Sequence, residues 1–471
     1  MQTSHTKRTT WFSSLARFHQ AKTLGEFWQL VTWEDIDRVS VFPSLIVLTM
    51  PIFYLIFNSL PGYRWSYEDL GDWIFQMCTY TGILAILLIA AKWFTDRSSL
   101  KIYSRQNIIS AGCFLAFFLL IFISTDVNGV SYHAYTGYSF HHETLVTYAG
   151  YVLFFLFPAG CIRTPKVKHF VICYAILTSM ALGIAVLIDA FLIEIYPLRI
   201  AWAGGYSAVF YNPNHYGYYL SFTILLSAGA AAWSERLAWR IIGWISYAVQ
   251  LVVLILNNTL GSYLAVFAGM ILVCIMERIV RQKLSRRTIL LFCSFFVISI
   301  LVTLFNADIL NSILEFGFDI RRLFGDDPDK LNAGTGRAIL WYYTLIYISE
   351  KPLLGYGVEG IADRLSRDCE LTRPHNVYME FAAFFGVPAA LCFITGIFHN
   401  FLNGLKQKLS LDIDTMTALA ATFSFAFSAL FGISIFYTTP YFFMLIGLSF
   451  TILPKQAEKG SAEPASGADQ E

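Results

Sequence analysis

The chain has 471 residues, of which 56% are hydrophobic and only 14% are charged, and its formal net charge is +1. Soluble domains carry roughly 25% charged residues, and the mean hydropathy of this chain is +0.56. This composition excludes a soluble globular protein and indicates an integral membrane protein. We expect the lipid bilayer to surround it and no nucleic acid to be among its partners.

Apolar runs of about 20 residues, long enough to cross a hydrocarbon core of roughly 30 Å, recur along the sequence. They predict an all-α polytopic membrane domain over residues 39–454, with about twelve transmembrane helices. The predicted spans are 39–60, 72–94, 107–125, 144–163, 168–190, 214–233, 239–257, 259–277, 288–306, 376–402, 414–433 and 436–453. Residues 1–38 form a predicted amphipathic segment on the inner leaflet, and residues 455–471 a predicted disordered tail.

Basic residues alternate between the two sets of connecting segments. One set, which includes both terminal segments, holds 23 of the 33 Lys and Arg residues. Cytoplasmic loops are enriched in Lys and Arg, so both termini are predicted to be cytoplasmic. Residues 307–375, between the ninth and tenth spans, then form one long extracytoplasmic loop.

This long loop also holds basic residues, which need a reason other than orientation because long loops escape the charge rule. One interpretation is a solvated loop in which Asp residues balance the cations. The other is that some cations bind an anionic substrate, because guanidinium groups match phosphate and carboxylate oxygens.

Arg337 stands out within the loop because of its neighbours. It follows Gly334-Thr335-Gly336 and precedes Trp341 by one helical turn. This pattern predicts an amphipathic helix that begins at Arg337 with aromatic support below it. The planar fork of an arginine suits the oxygens of a diphosphate.

His375 and Asn376 begin the predicted tenth span. The free backbone N–H groups and the positive dipole end of a helix favour an anion there and disfavour a protonated imidazole. A neutral imidazole can act as a general base near pH 7. His375 and Arg337 are therefore the candidate catalytic residues, with Asn376 and Trp341 as substrate-binding candidates; the alternative is that the Arg and the His only cap helices.

Further polar residues, which are additional substrate-binding candidates, lie at the predicted outer ends of spans. Asn212, Asn214 and His215 begin the sixth span, where a helix-capping role is favoured over catalysis for His215. Glu380 lies one turn into the tenth span, where an ionisable group is costly and often functional, although Glu in a first helical turn is also ordinary dipole chemistry. No CxxC or HxxxH pair suggests a metal site, and we expect no metal and no cofactor.

Taken in order, these motifs resemble the O-antigen ligase and polymerase family of bacterial membrane proteins. The resemblance covers roughly residues 206–396, and the first 200 residues match in hydropathy only. It rests on these motifs: Tyr211-Asn212-Pro213-Asn214-His215-Tyr216-Gly217, Gly336-Arg337 with Trp341, Pro352-Leu353-Leu354-Gly355-Tyr356-Gly357, His375-Asn376-Val377-Tyr378, and Gly386.

The resemblance implies a metal-independent, inverting glycosyltransferase of the bacterial inner membrane whose site faces the periplasm or cell exterior. Its donor would be an undecaprenyl-diphosphate-linked glycan and its acceptor a glycan or lipid hydroxyl. In this picture Arg337 binds the diphosphate and His375 assists the acceptor. The sequence departs from the family at Leu260, where a second diphosphate-binding Arg is common. Arg321, Arg322 or Arg373 could substitute for it, and the adjacent Thr259 could still hydrogen-bond the substrate.

A transporter or flippase for a lipid-linked or amphipathic solute is the alternative function, because it also needs many spans. Transporters usually place polar groups near the bilayer midplane and contain internal repeats. Here the spans carry little charge at mid-depth, the polar residues gather at one face, and no repeat is visible. The sequence therefore favours the enzyme.

Overall fold

The computed structural model describes residues 17–32, 41–58, 107–137, 143–162, 164–193, 205–210, 212–324, 333–334, 336–406 and 412–450, with single positions at 35, 38, 76, 80, 81, 83, 84, 87, 90 and 331. Over these residues the secondary structure is helical. In chain order the helices are α1 Leu24–Leu30, α2 Val41–Asn58, α3 Ile108–Val127, α4 Tyr132–Thr136, α5 Leu145–Cys161, α6 Pro165–Phe191, α7 Pro213–Trp233, α8 Leu237–Asn257, α9 Leu260–Arg281, α10 Arg286–Thr303, α11 Asp308–Phe324, α12 Arg337–Glu350, α13 Ala362–Cys369, α14 Val377–Phe385, α15 Val387–Lys406, α16 Ile413–Ser428 and α17 Thr439–Ser449.

Seven helices are long and apolar enough to cross a membrane, counted over the described residues: α3, α6, α8, α9, α10, α15 and α16, the last with its 3₁₀ extension to Phe431. The predicted all-α, multi-pass membrane architecture is confirmed at this level. Every predicted span other than 72–94 overlaps one of these helices. Most of 72–94 lies outside the described residues, and the positions described within it are helical; the 455–471 tail also lies outside the described residues. The total of about twelve spans and the orientation of the termini stay predictions.

Side-chain caps explain where several helices begin. The Asn212 side chain accepts a hydrogen bond from the Asn214 backbone N–H at the start of α7. Ser285 accepts from Thr288 N–H before α10, and Asp412 accepts from Thr415 N–H before α16. Such caps satisfy backbone donors that have no partner inside the helix, which matters most where water is scarce.

Helix α7 is the centre of the bundle, and nearly all of its side chains are buried. It packs against α6, α8, α9 and α16. Small residues allow the close approach: a Cβ at Gly217 would lie 2.7 Å from Ser262 Oγ. Small residues at helix interfaces are the usual solution in membranes, where the hydrophobic effect does not drive helices together.

The single span predicted over residues 376–402 is wrong, because two helices, α14 and α15, occupy this stretch and meet at Gly386. Gly386 has φ +91°, and a Cβ there would lie 2.1 Å from the Leu353 carbonyl oxygen. A glycine tolerates this conformation at no steric cost. Hydropathy continues across the break, so the apolar pattern alone does not reveal it.

Over its described residues, the predicted loop at 307–375 contains three helices. Helix α12 begins at Arg337, as its sequence predicts, whereas α11 and α13 are additional. One face of α11 lines a cavity through residues such as Ser312, Glu315 and Asp319. The loop is therefore a folded cap over the ends of the membrane helices and not an extended solvated segment.

Candidate functional site

A cavity of about 380 Å³ lies where the cap meets the bundle. Its walls come from the N-terminal ends of α7, α9 and α12, from one face of α11 and from Phe431. The polar side chains that line it are Asn214, Tyr218, Asn258, Thr259, Ser312, Glu315, Asp319, Arg337 and Trp341. All these helix ends belong to the side of the membrane predicted to be extracytoplasmic.

Among the described residues that line the cavity, Arg337 is the one with a positively charged side chain. Gly336, with φ +81°, turns the chain into α12, so Arg337 is the first residue of the helix. The guanidinium donates from Nη1 to the Gly334 carbonyl oxygen at 3.3 Å. The Asp319 carboxylate accepts a hydrogen bond from the Gly334 backbone N–H at 2.9 Å, which holds the glycine turn against α11.

Trp341 connects this helix to the segment that carries His375. The indole Nε1 donates to the Pro374 carbonyl oxygen at 3.1 Å, while the ring lines the cavity one turn after Arg337. The two candidate catalytic residues are thus joined by one hydrogen bond between their neighbours.

His375 lies in a strained backbone conformation with φ +52°. Its Nδ1 is buried and has no hydrogen-bond partner among the described residues. Burial, together with the nearby positive charges of Arg337 and Arg373, lowers the pKa of His375 to about 3. The imidazole is therefore neutral at pH 7, in the protonation state that the sequence predicts.

Asn376 caps α14. Its side-chain oxygen accepts hydrogen bonds from the backbone N–H groups of Tyr378 and Met379, each at 3.1 Å. The expectation that this helix offers free N–H groups to an anion is wrong for these two donors, because the asparagine already occupies them. What remains at this helix start is the positive end of the dipole.

Arg373 does not line the cavity, although the sequence presents it as a substrate-binding candidate. Its side chain is 1% exposed, and Nη1 donates to Glu380 Oε1 at 2.5 Å while Nη2 donates to Glu359 Oε1. Its guanidinium also lies 5.2 Å from the centre of the Phe384 ring. Glu380, equally buried, is likewise engaged inside the protein and does not line the cavity.

Glu143 is a third carboxyl group near Arg373. Its Oε1 accepts a hydrogen bond from Tyr151 at 2.5 Å, and its Oε2 accepts one from Ser434 at 3.1 Å. Burial raises the pKa of Glu143 to about 7, although the Arg373 charge and these hydrogen bonds lower it. Neither Glu143 nor Glu359 belongs to a motif, so sequence analysis does not identify them.

Some residues of the Asn-Pro-Asn segment line the cavity, and others stabilise the start of α7. Asn214 lines the cavity, whereas Asn212 caps α7. His215 is buried, with Nδ1 3.2 Å from the Phe210 carbonyl oxygen and its ring stacked on Tyr437. Thr259 lines the cavity and donates to the Pro213 carbonyl oxygen at 3.1 Å, which joins the starts of α7 and α9.

Arg321 and Arg322 lie near the end of α11 and outside the cavity lining. Arg321 is exposed, and Arg322 Nη1 is 3.6 Å from Asp319 Oδ1. Leu260 does line the cavity, at the first position of α9. The structure therefore puts none of the three suggested cations, Arg321, Arg322 or Arg373, in place of the Arg that Leu260 replaces.

The Pro352–Gly357 turn supports the site by packing against the end of α14 and the start of α15. The backbone N–H groups of Tyr356 and Gly357 donate to the last carbonyls of α14, at 3.0 and 2.7 Å, and Val387 N–H donates to the Pro352 carbonyl at 2.8 Å. Ser124 Oγ on α3 donates to the Phe384 carbonyl at 2.8 Å. This motif fixes the break between α14 and α15 and contributes no side chain to the cavity.

Residues 245–394 match a family model described as O-antigen ligase. The matched range contains the cavity residues of α9, α11 and α12 as well as His375 and Asn376. It confirms the family resemblance predicted from the motifs. Comparison with curated proteins gives no match, and neither does comparison with solved structures.

Proposed function

We propose that this chain, whose residues 245–394 match the O-antigen ligase family, is a glycosyltransferase of the bacterial inner membrane. It would move a glycan from undecaprenyl diphosphate to an acceptor hydroxyl on the outer face of the membrane. The acceptor would be a lipid A core, a growing polysaccharide or another cell-surface molecule. The observation that carries the proposal is the cavity lined by Arg337 and Trp341, whose indole bonds the residue before His375. His375 is not itself one of the cavity-lining residues, and its Nδ1 has no hydrogen-bond partner among the described residues.

The cavity has groups suited to both parts of the donor, the diphosphate and the glycan. The guanidinium of Arg337 offers paired N–H donors to diphosphate oxygens, at the N-terminal end of α12 where the helix dipole also favours an anion. Asn214, Thr259 and Ser312 offer amide and hydroxyl groups to the glycan, and the Trp341 ring offers it a flat apolar face.

In the transfer step, the acceptor oxygen attacks the anomeric carbon of the donor sugar. A new C–O bond forms, the bond from that carbon to the diphosphate oxygen breaks, and its electron pair leaves with undecaprenyl diphosphate. The acceptor proton goes to His375. Arg337 stabilises the negative charge that grows on the leaving diphosphate, and attack opposite the leaving group inverts the anomeric configuration.

Donor binding would also strengthen the base. In the unoccupied protein the charges of Arg337 and Arg373 help to lower the pKa of His375. A diphosphate held by Arg337 offsets this positive charge, so the imidazole takes a proton more readily once the donor is bound.

Transport, the alternative function, needs a path between the two faces of the membrane. The structure has a second cavity, of about 300 Å³, lined by residues such as His169, Cys173 and Asp414 at the opposite ends of the helices. The stretch of α7 between the two cavities, residues 219–229, is entirely buried. This separation favours a reaction at one face over passage through the bundle.

The test is transfer by the purified protein in lipid nanodiscs. It receives an undecaprenyl-diphosphate-linked glycan and, in separate reactions, a lipid A core acceptor or a second lipid-linked glycan, and mass spectrometry identifies the product. The proposal predicts a covalent glycan product and free undecaprenyl diphosphate. Movement of intact donor across proteoliposomes without any such product would favour transport.

A further inference from the structure

The segment from Arg373 to Asn376 is anchored at three of its four residues. Arg373 pairs with two carboxylates, the Pro374 carbonyl accepts from Trp341, and Asn376 caps α14. The residue left between these anchors is His375, whose φ of +52° is unusual for a residue with a side chain. Such a conformation costs of order 1–3 kcal/mol and persists only where the surroundings impose it.

We propose that the buried ion cluster, defined as Arg373, Glu359, Glu380 and Glu143, positions His375 for the transfer reaction, an inference that rests on the function proposed above. The cluster fixes the backbone two residues before His375. It thereby sets where the imidazole lies relative to Arg337, and its members are positioning residues that do not touch substrate.

The geometry of the cluster supports this role. The forked guanidinium of Arg373 bonds Glu380 of α14 through one nitrogen and Glu359 of the preceding segment through the other. Both bonds form only when the two carboxylates and the Arg373 backbone have one relative arrangement. Glu359 itself has φ +60°. The positive φ of His375 is thus matched by a second one within the cluster.

Stability alone does not explain a buried cluster of this kind. Burying charges costs about as much as their attraction returns, and a well-packed apolar replacement is often no less stable. Glu143 interacts with Arg373 and Glu380 only through its charge. It precedes α5 and accepts a hydrogen bond from Ser434, which precedes α17. We infer that the cluster instead holds the elements around His375 in a single arrangement.

The decisive variant is Glu359→Gln, which keeps the size of the side chain and removes its charge. Misplacement of a catalytic group by about 1 Å can cost a hundredfold, so we expect kcat to fall about ten- to a hundredfold. The KM for the lipid-linked donor should stay unchanged, because Arg337 is not displaced. Glu359→Asp should recover part of the loss. The matched control is Glu350→Gln, which removes an exposed carboxylate paired with Arg364.

A double-mutant comparison separates positioning from general loss of structure. If Glu359 acts through His375, Glu359→Gln should slow the wild-type protein but cause no further loss in a His375→Ala background. An equal loss in both backgrounds, or wild-type kcat in Glu359→Gln, would overturn the inference. The proposed function fails in a different way: His375→Ala itself would then transfer glycan at the wild-type rate.

Hydrogen–deuterium exchange of the wild-type protein provides a measurement that depends on no variant. The inference predicts that the amide protons of Tyr378 and Met379, which the Asn376 side chain accepts, exchange as slowly as the later turn of α14, because the anchored segment keeps this cap in place. Exchange on the timescale of an open loop would show that the cluster does not hold His375, whatever the behaviour of the Glu359 variants.

Discussion

The indole nitrogen of Trp341 donates a hydrogen bond to the carbonyl oxygen of Pro374, 3.1 Å away. Trp341 is one helical turn from Arg337, and Pro374 directly precedes His375. The Trp341–Pro374 hydrogen bond therefore links the helix that carries Arg337, the proposed diphosphate-binding cation, to the segment that carries His375, the proposed base. Arg337 and His375 are 38 positions apart in the sequence.

Trp341→Phe keeps an aromatic ring in the cavity and removes the N–H donor. A hydrogen bond contributes about 0.5–1.5 kcal/mol net, so we expect a severalfold to tenfold fall in kcat. The measurement is the transfer rate at saturating donor, with Trp244→Phe on α8 as the control. Wild-type turnover in Trp341→Phe would show that the bond does not position the histidine.

Arg337→Lys keeps the charge and removes the fork. Because bidentate contacts are lost, kcat/KM for the lipid-linked donor should fall at least about tenfold. Arg321→Lys makes the same substitution on an exposed residue outside the cavity and should leave kcat/KM unchanged. Equal losses in the two variants would mean that a general basic surface, and not Arg337, attracts the donor.

Leu260→Arg introduces a cation where the sequence departs from the O-antigen ligase pattern that it resembles. Leu260 lines the cavity at the start of α9, so a guanidinium there could reach the same diphosphate. Hydrogen bonds to charged groups contribute about 1.5–3 kcal/mol, which predicts a KM for the donor lower by about tenfold. Leu260→Met changes the shape without the charge and should not lower KM. An unchanged or higher KM in Leu260→Arg would place the diphosphate elsewhere.

The buried imidazole of His375 should make stability depend on pH. Its pKa is lowered to about 3 in the folded protein, against about 6.5 in an unfolded chain. The unfolded state binds more protons between these values, so the contribution is complete above about pH 6.5 and is lost as the pH falls towards 3. The melting temperature of the wild type should drop relative to His375→Gln between pH 7.5 and pH 5. A constant difference between the two proteins would contradict the lowered pKa.

The sequence predicted those features that local pattern determines. The start of α12 at Arg337 follows from the Gly-rich turn before it, and the helix after Asn376 follows from a capping residue next to an apolar run. The break at Gly386 was missed because hydropathy is the same on both sides of it. It depends on the approach of the Leu353 carbonyl, which is a tertiary contact.

The charged residues were the hardest to assign from sequence. Arg373 was a substrate-binding candidate because it is a cation of the predicted outer loop, yet its guanidinium is paired with Glu359 and Glu380. Glu143 is far from both in the sequence and follows no periodic pattern. Helix α11 was missed because only the charged residues of the loop were considered. The role of its polar face is visible only in the structure, where this face lines the cavity together with α9 and α12.

The central claim is that His375 takes the acceptor proton, and turnover of a lipid-linked donor by His375 variants tests it most directly. General base assistance is typically worth about 10² to 10⁴ in rate, so His375→Ala should transfer glycan at least about a hundredfold more slowly than the wild type. His375→Gln, which can orient a hydroxyl but cannot take its proton, should be little better. The comparison is made at matched expression and melting temperature in nanodiscs at pH 7.5. A His375→Gln protein that turns over near the wild-type rate would contradict the account and reduce the histidine to a residue that positions or caps.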